Sequence, residues 1–407
     1  MSRVLFRQVR RLDPDTGTDS IADWLWDSAT GRAEPTGDPA VRADRAIDGA
    51  GRLILAPTLC DLYVRSGEPG HEEREDLASL AAAAAAGGYS QVAILPHTEP
   101  PVDDPAQVDF LRRHFPAGPV EALVLGAISR NCAGEALAEV SSLLEAGVVG
   151  FTDARPLANW ALLRRFLDYA AVLERPVLVW PCFAPLATGI ALEGDWAIRL
   201  GLAGRPPQAE GIALAGVLEL VRLTGTAVHL MRLSTARSVE MAAQAKADGL
   251  PVTASTTVHH LVHASPDLAE YDPNLRFEPP LGNPADRAAL VAALEAGIID
   301  AVASDHTPWT YEEKTLPFSQ APPGAIALEL VLPLVWNLVR EGRLTPLRAW
   351  EALSSAPRRI LALKHPQVLV LFDPDKTWVP GTDTLHSRSL ATAWLGRTVQ
   401  GRVLEVF

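Results

Sequence analysis

The chain has 407 residues, 48% hydrophobic and 21% charged, a length that suits one barrel-sized domain of roughly 250–300 residues with a smaller one attached. A formal net charge of −13 without an offsetting basic stripe excludes a nucleic-acid surface. Met1–Arg7 holds no long apolar core and no later run reaches membrane-spanning length, so a cytoplasmic protein with no membrane partner is expected.

Residues 1–52 read as short strands broken by a turn cluster at Pro14, Asp15, Gly17 and Asp19. Eight β-rich apolar runs follow: Ile54–Val64, Tyr89–Pro96, Val120–Ser129, Gly147–Asp153, Pro176–Cys182, Ala227–Ser234, Pro251–Val258 and Asp300–His306. Helix-like segments separate them. Glu72–Ala86 opens on acidic residues, continues in alanine and stops at Gly87-Gly88; Ser234–Asp248 and Asn283–Glu295 carry helical periodicity. Continuous apolar strands alternating with helices predict a parallel sheet covered on both faces, and eight units predict an α/β fold of the closed (β/α)₈ TIM-barrel type. The tail reads as a strand at Val368–Phe372, a turn at Asp373-Pro374-Asp375 and a β-rich stretch over Thr392–Phe407. Both ends are β-rich, so residues 1–55 and 363–407 are expected to combine into one small β domain, with 56–362 forming the barrel. Cys60, Cys132 and Cys182 are widely separated and read as small buried hydrophobes in a reducing compartment.

The ends of these runs carry the chemistry. Tyr63 and Arg65 alternate at the end of the first strand and therefore share a face. Neither suits zinc: a guanidinium offers no lone pair, and a phenol titrates near pH ~10. Asp153 closes the fourth run, and Arg232 and Asp305 stand near the ends of the sixth and eighth. Each carboxylate is readable as an active-site group or as an ion-paired structural one. The neighbours His259 and His260 invite a metal reading, but alternation on a strand lets only one face the mouth, and a core reading is preferred. His306 follows Asp305 and is expected to orient it; His71 and His114 carry no signal. No Ser-His-Asp arrangement, P-loop or dinucleotide fingerprint offers another chemistry.

Several segments resemble consecutive motifs of the dihydroorotase family: Glu68–Asp76, Ala86–Tyr89, Leu95–Pro101, His229–Thr235, Asn274–Leu281, Ala303–Pro308 and Leu371–Trp378. They stand in family order over nearly the whole chain, which looks most like the divergent cyanobacterial form. The resemblance implies an amidohydrolase of pyrimidine (UMP) biosynthesis, using zinc held by His-x-His after strand 1, a carboxylate or carboxylated lysine after strand 4, one His after each of strands 5 and 6, and an Asp after strand 8. Here those positions hold Tyr63, Arg65, Asp153, Trp180, Arg232 and Asp305. Of the family's substrate contacts, Asn274 is kept, His97 replaces an Asn, and Gly67 and Gly282 replace two arginines.

The expected site therefore has no metal and no cofactor, with Asp305 as a vestigial or residual catalytic group and Trp180 filling vacated volume. Arg65 and Arg232 are expected to pair with Asp153 and Asp305. The expected function is that of a non-catalytic homologue, a homo-oligomer of this chain that supports assembly with aspartate transcarbamoylase. The competing readings are an active dihydroorotase with a rearranged or single-metal site, and another cyclic amidohydrolase of hydantoinase or allantoinase type.

Overall fold

Eight parallel strands stand in chain order around a barrel in the computed structural model, which describes residues 3–37, 41–173 and 175–407. They are Leu59–Val64, Tyr89–Ile94, Glu121–Gly126, Gly150–Phe151, Val177–Val179, Val228–Leu230, Val252–Thr257 and Ala301–Ala303. Ladders join each strand to the next from the first to the eighth. The remaining seam is held differently: the Asp61 carboxylate on strand 1 accepts the Ser304 N–H at 3.2 Å, and Arg65 N–H donates to the His306 carbonyl at 2.9 Å. Burial pushes the Asp61 carboxyl up to about 6, against the hydrogen bonds from Ser304 and Tyr63.

The predicted runs survive with shorter ladders. The run Ile54–Val64 divides between two sheets. Its first part, Ile54–Pro57, pairs with Leu369–Trp378 and with Arg3–Asp13, while Leu59–Val64 turns into the barrel. Pro57 marks the change, as a residue with no N–H to donate to a ladder. The fourth run contributes only Gly150–Phe151, because its last residues leave the ladder to build the mouth.

The termini do form one sheet, with Val399–Val406, Leu369–Trp378, Ile54–Pro57, Arg3–Asp13, Thr18–Asp27 and Arg32–Pro35 side by side and Arg45–Asp48 added to Arg3–Asp13. The expected turn at Asp373–Asp375 is instead a register shift inside one long strand. Asp373 Oδ1 accepts the N–H groups of Asp375 and Lys376, which satisfies the backbone there without ending the strand. Trp336, Trp350 and Phe372 join barrel helices to this sheet through three edge-on contacts with centroids 5.9–6.3 Å apart. Trp350 also donates its indole N–H to the Pro57 carbonyl at 2.8 Å.

The helices start where side chains can cap them. The alanine-rich helix spans Leu77–Ala86 and not Glu72–Ala86, with Asp76 accepting the Ser79 N–H at 2.7 Å. The preceding acidic residues stay outside it because Glu75 is drawn into the interior, where it accepts from Arg388 N–H, from the hydroxyls of Ser79 and Ser387, and from His306. The other two expected helices run Ala236–Ala247, capped by Thr235, and Pro284–Glu295, capped by Asn283.

One buried cation fixes the barrel floor. Arg358 is 1% exposed and donates to the carbonyls of Thr58 and Leu59, the Gln91 amide oxygen and the hydroxyls of Ser90 and Ser354. Replacing it with Met strands several acceptors at once, so Arg358→Met should lower stability by roughly 3 kcal/mol or more in urea titration. A loss below about 1 kcal/mol would mean that water replaces the guanidinium there.

Candidate functional site

The carboxyl ends of the barrel strands bring Tyr63, Trp180, Arg232 and Asp305 into one cluster. Arg232 grips Asp305 through two hydrogen bonds, Nη2 to Oδ1 at 2.6 Å and Nε to Oδ2 at 3.0 Å. Its guanidinium carbon lies 5.3 Å from the ring centroids of both Tyr63 and Trp180. A planar guanidinium suits both contacts, because its fork matches a carboxylate and its faces accept aromatic rings. The side chains are 3% and 14% exposed, so the pair is largely withdrawn from water. Burial alone would lower the Arg232 pKa; the charge and hydrogen bonds of Asp305 outweigh it and raise it.

The backbone supports this arrangement at a cost. Arg232, Asp305 and Ala154 all take left-handed conformations, with φ of 55°, 49° and 45°. Arg232 Nη1 also reaches the Ala154 carbonyl at 3.4 Å. Such residues cost about 1–3 kcal/mol each unless surrounding contacts determine them. Here the three converge on one guanidinium.

Asp153 does not join the pairing expected of it. Oδ1 accepts the N–H groups of Ile128 and Ser129 at 2.9 and 3.0 Å, and Oδ2 accepts the Ser129 hydroxyl. Three donors from the loop after strand 3 therefore hold the carboxylate, while burial still moves its pKa up. Arg65 is likewise unpaired with either aspartate. Its Nε is buried without an acceptor, since Asp153 is engaged by Ser129 and the Asp305 fork is filled by Arg232. Burial, then the charge of Arg232, pulls the Arg65 pKa down to about 10. His97 lies nearby with both ring nitrogens buried and unpartnered, and burial plus the cations Arg65, Arg155 and Arg232 hold its pKa well below the ordinary range.

Several histidine expectations change. His306 does not orient Asp305. Its Nε2 faces Glu75 at 3.2 Å, and Nδ1 accepts the Ala327 N–H at 3.2 Å, so it braces the wall behind the mouth. His259 and His260 lie past the end of strand 7 in the helical turn Val258–Val262, so strand alternation does not apply and both are buried. His259 stacks on Phe277 at 4.2 Å, and His260 bonds the Thr257 hydroxyl and the Pro279 carbonyl. Asn274 sits in a short turn with its Oδ1 buried and unpartnered.

Sequence reasoning missed His229, Ser255 and Arg155. His229 bonds Thr253 and Ser255 at 2.9 and 2.8 Å, and Ser255 shares a 3.1 Å hydrogen bond with the Tyr63 hydroxyl. This chain runs up the barrel interior to the cluster. The signal was available in the alternation of His229 with Met231 and of Thr253 with Ser255, which places each pair on one face of its strand. Arg155, exposed two residues beyond Asp153, follows the same logic of strand ends.

Zinc binds imidazole, thiolate and carboxylate donors. The residues present do not fit it: a guanidinium, an indole and a phenol with its pKa raised by burial occupy three expected positions. Among the described residues, no group of three or more His, Cys, Asp or Glu side chains is arranged to hold a metal ion. The two glycines at positions where the family resemblance implies arginine are closed to side chains as well. A Cβ on Gly67 would overlap the carbonyl oxygens of His71 and Glu75, and one on Gly282 would lie 2.7 Å from the Asp286 Cβ. No helix among the described residues is long and apolar enough to cross a membrane.

Two predictions follow from this geometry. Arg232→Met should cost about 3–5 kcal/mol in chemical denaturation by stranding Asp305. The double change Arg232→Met with Asp305→Asn should cost clearly less than the sum of the singles, and strict additivity would show that the two side chains do not interact. The second concerns pH. Burial lowers His229 to about 3, against an unfolded value of about 6.5. Its contribution is complete above about pH 6.5 and is lost as pH falls toward 3. Between pH 7 and pH 4 the loss is on the order of 3 kcal/mol, so His229→Gln should show a shallower fall in stability than the parent across that interval. Parallel curves would refute it.

Comparison with known proteins gives a consistent result. A family profile described as dihydro-orotase-like matches residues 51–238. A Synechocystis protein named "Probable dihydroorotase-like protein" is 41% identical over 432 aligned residues, covering 98% of each chain. The dihydroorotase of Syntrophobacter fumaroxidans is 38% identical over 416, covering 99% of this chain and 95% of its own. Among solved structures, the L-hydantoinase (dihydropyrimidinase) of Arthrobacter aurescens superposes with a TM-score of 0.86 at 22% identity, over 100% of this chain and 95% of that one, a likeness of fold.

Proposed function

This chain belongs to the dihydroorotase family, and we propose that within it the chain is a non-catalytic member. One observation carries the reading. The Arg232 guanidinium, forked onto Asp305 and flanked by Tyr63 and Trp180, stands among the positions that hold metal ligands in the family pattern. Hydrolysis or closure of a ring amide needs an activated water, which zinc supplies by lowering the water pKa to about 7. A guanidinium stays protonated and cannot act as that base. The family's recognition arginines are replaced by Gly67 and Gly282, leaving Asn274 and His97 as the substrate-binding positions that carry polar side chains.

The role that remains is assembly in pyrimidine biosynthesis. We infer a cytoplasmic homo-oligomer that holds aspartate transcarbamoylase in a complex, a reading supported by the family resemblance and by a fold kept whole while its mouth has changed. The decisive experiment purifies the chain without chelator, supplies zinc, and measures bound metal together with dihydroorotate turnover. Substoichiometric zinc and background turnover are expected. Stoichiometric zinc with a turnover abolished by Asp305→Ala would overturn the reading. For the partner, sedimentation of a mixture with purified aspartate transcarbamoylase should give a species heavier than either protein alone; unchanged sedimentation of both would remove that role.

A further inference from the structure

We propose that a cavity outside the barrel mouth binds a small organic cation, an alkyl ammonium or an alkyl guanidinium. The cavity measures about 450 Å³ and lies between the segment that follows strand 7 and the tail around Trp394. None of Tyr63, Arg65, Trp180, Arg232 and Asp305 lines it, so the site is independent of what the mouth does.

Charge is the first argument. Asp267, Glu270 and Asp272 bring three carboxylates to the lining, against Arg397 alone. Arg397 is exposed and forms no ion pair with any of them among the described residues. Asp267 accepts the Ala264 N–H at 2.8 Å and Asp272 the Asn274 N–H at 2.9 Å, which occupies one oxygen of each without neutralising it. Glu270 has no hydrogen bond or ion pair among the described residues. Arg287 and Lys314 act electrostatically on Asp267 and Asp272, but neither lines the cavity. The second argument is an acceptor without a donor. The His263 side chain is 10% exposed and lines the cavity; its Nδ1 faces Asp267 at 3.6 Å, and its Nε2 is buried with no partner. In the neutral ring a proton on Nδ1 leaves Nε2 as an acceptor, and an ammonium or guanidinium N–H supplies what it lacks.

The remaining walls narrow the class. Trp394 and His263 lie with ring centroids 5.7 Å apart, and an indole face attracts a cation more strongly than the other aromatic rings do. The Trp394 N–H is buried without an acceptor, so no hydrogen bond of its own keeps the indole from tilting onto a ligand. Pro266 and Leu275 add apolar surface for an alkyl chain. Among the described residues no three His, Cys, Asp or Glu side chains are arranged for a metal ion, so the carboxylates call for a cation with a body of its own. The volume falls within the ~300–1,000 Å³ usual for small-molecule sites. An anion would meet three carboxylates here, and a neutral hydrocarbon would leave them unanswered.

The test uses the full-length chain and four probes at matched ionic strength: butylammonium chloride, butylguanidinium chloride, sodium butyrate and butanol. Calorimetric titration should show saturable binding of one or both cations, and heating should show a raised Tm with the same cation. Butyrate and butanol, which carry a similar tail with the wrong charge or none, should do neither. Glu270→Gln should weaken cation binding severalfold, and Arg397→Ala should tighten it severalfold by removing a like charge. Both side chains are exposed and unpaired among the described residues, so these two variants should fold as the parent does. Trp394→Leu should weaken binding at least tenfold, with Trp394→Phe intermediate because it keeps an aromatic face. Binding of butylammonium alone assigns the site to ammonium groups, and binding of butylguanidinium alone to guanidinium groups. Equal binding of butanol would reduce the cavity to an apolar cleft and overturn the proposal. So would no binding of either cation, or an affinity that Glu270→Gln and Arg397→Ala leave unchanged.

Discussion

A single guanidinium organises the centre of this barrel. Parallel strands leave their carboxyl ends pointing toward one axial space, and any carboxylate placed there needs a counter-charge or must lose its own. Arg232 meets that requirement for Asp305 with two hydrogen bonds, and the rings of Tyr63 and Trp180 close over the cation. The left-handed residues Ala154, Arg232 and Asp305 are tolerable because this pairing over-determines them. The arrangement joins the ends of strands 1, 5, 6 and 8, so it also ties opposite sides of the barrel together.

The rest of the interior is consistent with a scaffold held by directed polar contacts. Asp61 links strands 1 and 8 where no ladder does, Arg358 gathers carbonyls and hydroxyls at the floor, and His306 with Glu75 braces the wall behind the mouth. The line from Thr253 through His229 and Ser255 to Tyr63 extends from inside the barrel to the cluster. Each of these groups is buried, and each has its hydrogen bonds satisfied within the chain. Around the mouth, Arg65 Nε, both His97 ring nitrogens and Asn274 Oδ1 are buried without such a partner.

Much of this was legible in the residues and some was not. The strand runs and their alternation with helices announced the barrel, because a parallel strand covered on both faces must be apolar throughout. The strand ends announced where the side chains of the mouth would lie. Pairing partners were harder to read. Tyr63 and Arg65 share a face, yet only contacts distant in sequence decide that Arg232 takes Asp305 while Ser129 takes Asp153. His306 was misplaced for the same reason: adjacency to Asp305 suggested a local role, whereas its ring turns the other way toward Glu75, 231 positions earlier. The doublet His259-His260 was read as core and is buried, but strand alternation was the wrong ground for it, since the strand ends before the pair.

Gly67 and Gly282 also limit how the mouth can vary. Each lies against backbone or a neighbouring Cβ that leaves no room for a side chain. Any larger residue at either place first requires the facing chain to retreat, so the loop after strand 1 and the turn before the helix Pro284–Glu295 cannot change one residue at a time.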